Sequence, residues 1–173
     1  MGLKEKDLNK KITCVEYKPE IYFDRVSDAD IARFKDNEKK LAVKISGIKM
    51  KYEIENNISS TKAYEELEEK CQISVTALKY ATSCTKGHTA NRRFLYKFTV
   101  GLGMSLEEAD ELFELENGKL RDDCLEDLIC MCALRDEDDI YDFIEEYEDR
   151  TGIKLSMRER KTNKNGHNLA PEK

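Results

Sequence analysis

Apolar side chains return every three or four residues along most of this chain, a spacing that suits helices with one buried face. Ile140, Phe143, Ile144 and Tyr147 fall at i, i+3, i+4 and i+7, and so do Leu125, Leu128, Ile129 and Cys132. Shorter versions occur at Ala63, Leu67 and Cys71, at Phe94, Leu95, Phe98 and Leu102, and at Leu106, Ala109, Leu112 and Phe113. A rougher stripe runs through Ile31, Phe34, Leu41, Ile45 and Ile48. Only 2 prolines and 8 glycines interrupt the 173 residues, so good helix formers dominate. The expectation is an all-α, multi-helix bundle of six to seven short helices on one core.

Cap signals divide the helices. Ser27 precedes DADIARF, and Ser59, Ser60 and Thr61 precede KAYEELEEKCQ. Ser105 followed by Glu108 is a capping box, and Asn117-Gly118 closes that helix. Residues 1–27 alternate weakly around Pro19 and read as an extended arm. Residues 28–155 are expected to form a single helical domain, with an acidic helical extension at 121–150. The basic stretch 156–173 reads as a solvated, flexible tail.

Charge is distributed unevenly. The net charge is −6, yet residues 71–106 contain no carboxylate side chain, and Lys70, Lys79, Lys86, Arg92, Arg93 and Lys97 lie in or beside that window. Residues 107–150 carry 19 acidic and 4 basic side chains. Either the window faces phosphate or it faces the chain's own acidic half.

Several function classes are disfavoured. No apolar run of membrane-spanning length occurs, and the start MGLKEKDLNKK has no apolar signal core, which points to a cytoplasmic protein. Gly2 would need Ser or Thr at position 6 for myristoylation, where Lys6 stands. The 6 cysteines (Cys14, Cys71, Cys84, Cys124, Cys130, Cys132) then read as reduced structural thiols. Cys71, Cys124 and Cys132 fall on apolar faces, and Cys130-x-Cys132 has the wrong helical spacing for zinc. In RDEDDIYDFIEEYED, Arg135–Asp149, the apolar spacing puts the carboxylates on a wet helix face. With no phosphate-binding glycine loop, G-x-S-x-G or H-E-x-x-H, a non-enzymatic protein without metal or cofactor is expected. His88 and His167 lack sequence partners for metal or catalytic work.

Short helix, tight turn, short helix, polar loop and longer helix follow one another across residues 61–115. This order resembles the lambda-repressor-like, or XRE-type, helix-turn-helix family. Lys62–Cys71 matches the scaffold helix, Ser74–Ser83 the recognition helix and Ala90–Leu102 the helix packed behind. LGMSLEEADELF, Leu102–Phe113, is similar to the closing part of that domain, and Leu67, Cys71, Ile73 and Leu78 fall at its buried anchors. Two positions depart from the family. Glu68 stands where a small residue is usual, and Gln72 where the turn usually has glycine. A carboxylate buried unpaired at that crossing would make Glu68→Ala neutral or stabilising.

The resemblance implies binding to double-stranded DNA, commonly as a dimer on two half-sites. It places Ser74, Val75, Thr76, Lys79 and Tyr80 toward base edges, and Lys86, His88, Arg92 and Arg93 toward phosphates. The alternative is a helical protein-interaction module that keeps the frame without reading DNA, using Val75 and Tyr80 or the acidic helices. Imitation of DNA by the acidic surface is a further option.

Overall fold

The computed structural model describes residues 27–83 and 90–155. Two compact units divide the chain, 1–33 and 34–173. The described part of the first begins a helix, α1, that runs Asp28–Asn56. Ser27 starts it as its sequence suggests, its Oγ accepting from the Asp30 amide at 3.1 Å.

The described residues hold α1 and six further helices and no strand. They are α2 (Ser60–Cys71), α3 (Val75–Ala81), α4 (Arg92–Gly101), α5 (Leu106–Glu116), α6 (Leu125–Asp136) and α7 (Ile140–Thr151). The all-α expectation therefore holds, with one difference in scale. α1 has 29 residues and is about 43 Å long at 1.5 Å per residue, so not every helix is short.

Side-chain caps set most boundaries. Ser59, Ser74, Asn91, Ser105 and Asp139 each accept from an amide in the first turn of the helix they precede. Ser105 and Glu108 form the reciprocal pair that their spacing indicates.

The core of the second unit gathers around α4. Leu95, Tyr96, Phe98 and Val100 are buried there with Leu67 and Cys71 of α2, Leu112 and Phe113 of α5, and Phe143 and Tyr147 of α7. Tyr96 joins an aromatic cluster, its ring centroid 5.5 Å from Phe113 and 5.9 Å from Tyr147. Fully burying such a side chain stabilises the fold by roughly 1.5–3 kcal/mol. α2 and α4 approach closely at Gly101. A Cβ there would lie 2.5 Å from the Lys70 carbonyl oxygen and 2.6 Å from the Cys71 Cα.

Two stripes are placed differently from their spacing. On α6, Leu125 and Leu128 are exposed, while Asp127, Ile129, Cys130, Ala133 and Leu134 face inward. That helix is apolar on more than one side, so periodicity alone could not choose the buried face. On α1, Phe34 is 60% exposed because the buried residues of this helix begin at Leu41. Among the described cysteines, Cys71 and Cys130 are fully buried and Cys124 and Cys132 only half-buried, while Cys14 and Cys84 lie outside the described residues. Burial pushes the Cys71 and Cys130 thiols up to about 12, which keeps them protonated and unreactive.

Candidate nucleic-acid interface

α2 and α3 are joined by a turn of three residues, Gln72, Ile73 and Ser74. Gln72 takes the left-handed conformation, φ 53° and ψ 39°, at the position where the resembled family favours glycine. Its side-chain amide donates to the Glu69 carbonyl and to the Tyr141 hydroxyl, both at 2.9 Å. Its carbonyl accepts from Lys97 Nζ at 2.7 Å, which ties the turn to α4. Ile73 buries at the turn, and Leu78 and Ala81 bury beneath α3. A helix of 7 residues is too short to persist alone, so these anchors hold it.

Glu68 is placed differently from a buried, unpaired carboxylate. It is half-buried, and its Oε1 accepts from the Val75 amide at 3.1 Å. Ser74 Oγ accepts from the Ala77 amide at 3.2 Å. Glu68 and Ser74 thus satisfy first-turn donors of α3, and the carboxylate complements the positive helix end. The expectation that Glu68→Ala is neutral or stabilising is replaced by an expected loss.

The suggested base-reading residues share one short helix with unequal access. Thr76, Lys79 and Tyr80 are exposed, whereas Ser74 and Val75 are half-buried. Lys79 Nζ lies 5.6 Å from the centroid of the Tyr64 ring, a cation–π distance. The Tyr64 hydroxyl is 2.9 Å from Thr82 Oγ1, which fixes the ring beneath the lysine.

The suggested phosphate contacts divide. Lys86 and His88 lie outside the described residues. Arg92 is spent inside the protein. Its Nε and Nη2 donate to Asp127 Oδ1 and Oδ2 at 2.7 and 2.6 Å. Nη1 donates to Glu116 Oε2 at 3.2 Å and to the Gly118 carbonyl at 2.9 Å, and Nη2 also reaches the Lys119 carbonyl at 3.0 Å. These contacts occupy all five N–H donors of a guanidinium. Arg93 is about half exposed and has a looser partner, Glu126 Oε2, at 3.6 Å.

Asp127, the partner of Arg92, is 1% exposed. Besides Arg92 it accepts from the Tyr96 hydroxyl and, at 3.0 Å, from the Arg121 amide. Burial raises its pKa, but these hydrogen bonds overcome burial and hold the carboxyl below its ordinary range. Burial, reinforced by the same carboxylate, pushes the Tyr96 phenol well up. Asp127 and Tyr96 were missed by reading the sequence. The available signal was a lone acid at helical spacing with Cys130 and Leu134.

The arrangement therefore presents one exposed polar and basic helix face on α3 and engages the partly buried Arg92 within the protein. Among the described residues no group of His, Cys, Asp and Glu converges as metal ligands would. Among them, too, no helix is long and apolar enough to cross a membrane. No family profile, curated protein or solved structure matches this chain.

Proposed function

We propose that this protein is a non-catalytic regulator that binds double-stranded DNA through α2, the Gln72 turn and α3. α3 enters the major groove in this reading, with Thr76, Lys79 and Tyr80 toward base edges. The observation that carries it is the outer face of α3, polar, basic and free of carboxylates, on a helix anchored by the Gln72 turn. Lysine can reach guanine and threonine can bond base edges or phosphate, so the face has suitable chemistry for a groove. Arg93 is the suggested phosphate contact that keeps partial exposure, and Arg92 holds the frame. Binding as a dimer on two half-sites and a cytoplasmic location belong to the same reading.

A second reading has its own support. Arg92 and Arg93 both meet carboxylates of the chain itself, which engages two of the suggested phosphate contacts internally. A helical protein-interaction module accounts for that engagement.

Mobility-shift titrations with mixed genomic fragments at two salt concentrations separate the two. DNA binding predicts a salt-sensitive shift, with a slope reduced by roughly one in Arg93→Ala for its lost phosphate contact. Lys79→Ala should relax preference at one base pair at a cost of about 1–3 kcal/mol. No shift at low salt favours the interaction module.

A further inference from the structure

We infer that a cavity lined by α1, α4 and α5 takes a planar heteroaromatic ligand, a nucleobase carried as an uncharged nucleoside. The cavity lies wholly within the second unit and measures about 310 Å³. Ligand sites run from about 300 to 1,000 Å³, so this one suits a small molecule of a few rings. Phe34 and Leu115 give it apolar walls, and Phe34 lines it while remaining 60% exposed. Three asparagines line it from three helices: Asn37 on α1, Asn91 as the N-cap of α4 and Asn117 as the C-cap of α5. Five asparagines occur among the described residues, so three at one cavity is a concentration of carboxamides.

The lining chemistry selects the ligand. Asn91 Oδ1 caps α4 by accepting from the Phe94 amide at 2.9 Å, which leaves its NH₂ donors for a ligand. Among the described residues no hydrogen bond occupies the side-chain amide of half-buried Asn37 or of Asn117. A carboxamide offers a donor and an acceptor side by side, the pattern that matches the edge of a nucleobase. An aromatic ring beside such amides completes the usual means of holding an unpaired base, stacking on one face and hydrogen bonds at the edge. Charge narrows the class further. Glu38 and Glu116 line the cavity and no lysine or arginine does. Arg92, which bonds Glu116 at 3.2 Å, has its donors occupied inside the protein. A phosphate would meet carboxylates there without a free cation, so the ligand is a nucleoside rather than a nucleotide. The site uses neither α2 nor α3 and is independent of the DNA reading.

Ligand-observed NMR titrations of the full-length protein with adenosine, guanosine, cytidine and uridine in turn test it, with glucose as a rival. At least one nucleoside should bind saturably, and its 5′-monophosphate should bind more weakly. Phe34→Leu keeps an apolar side chain but loses the ring, and should weaken binding roughly fivefold or more. Phe34→Trp restores a stacking surface and should bind about as well as the wild type. Asn37→Ala should weaken binding by roughly two- to tenfold for one lost hydrogen bond. Asn56→Ala, outside the cavity, should leave it unchanged. Phe34 is exposed, and an unchanged circular dichroism spectrum confirms that its variants fold. The inference is overturned if no nucleoside binds, if Phe34→Leu binds as the wild type does, or if glucose or the monophosphate binds more tightly than the nucleoside.

Discussion

Lys79, on α3, and Arg92, at the start of α4, belong to one carboxylate-free window. Yet Lys79 stands exposed beside a tyrosine ring, while Arg92 is enclosed by two carboxylates and two backbone carbonyls. The contrast teaches that charge along a sequence does not report its direction in space. What separates the two is the acidic extension. α6 packs on α4 and delivers Asp127 to the guanidinium, whereas the described helices bring no carboxylate ion pair to Lys79. The part of the window on α4 thus joins α4 to the chain's own acidic half, and the part on α3 stays at the surface.

The largest expected effect breaks the enclosed side. Asp127→Ala leaves Arg92 partly buried without its main partner and should cost about 3–5 kcal/mol in urea denaturation. Lys79→Ala, on the open side, should change stability by less than about 0.5 kcal/mol. Acid should reproduce the asymmetry. Because the folded Asp127 pKa is depressed, its stabilising contribution is complete above the unfolded value of about 3.9. That contribution should fade as pH falls through the lower folded value. Wild-type stability should therefore drop steeply in this range, and a parallel, equally steep drop in Asp127→Asn would contradict the assignment.

A smaller effect is expected where the two sides meet. Gly101→Ala forces a methyl group against the backbone of Lys70 and Cys71 and should destabilise by about 1–3 kcal/mol. Unchanged thermal unfolding would mean that α2 and α4 are not so close. Glu68→Ala removes an acceptor at the start of α3 and should cost about 0.5–2 kcal/mol. Neutrality, measured by chemical denaturation, would return Glu68 to the role that its sequence position first suggested. Smallest is Gln72→Gly. Relief of the left-handed backbone should outweigh two exposed side-chain hydrogen bonds and raise stability by less than about 1 kcal/mol. A loss would show that the Tyr141 contact matters more than the strain.

Much of this fold was legible because caps and periodicity act locally. Ser105 with Glu108, and the four apolar residues of α7, needed no information beyond their neighbours. α6 was less legible because apolar residues cover more than one of its sides, and only packing against α4 and α7 decides for Ile129 over Leu125. In the candidate site, the apolar anchors Leu67, Cys71, Ile73 and Leu78 could be read from their pattern. The fates of Glu68 and Arg92 could not be read this way. Each depends on a partner brought near by folding, Val75 across a turn and Asp127 from a helix distant in sequence.

The most direct test of the account is a heteronuclear NMR titration of the folded protein with duplex DNA at low salt. The account predicts that amide shifts concentrate at Ser74–Tyr80 and at Arg93, while the Arg92 side-chain resonance stays where its enclosure by Asp127 puts it. An unperturbed α3, with no shifts at all or with shifts confined to α6 and α7, would contradict it.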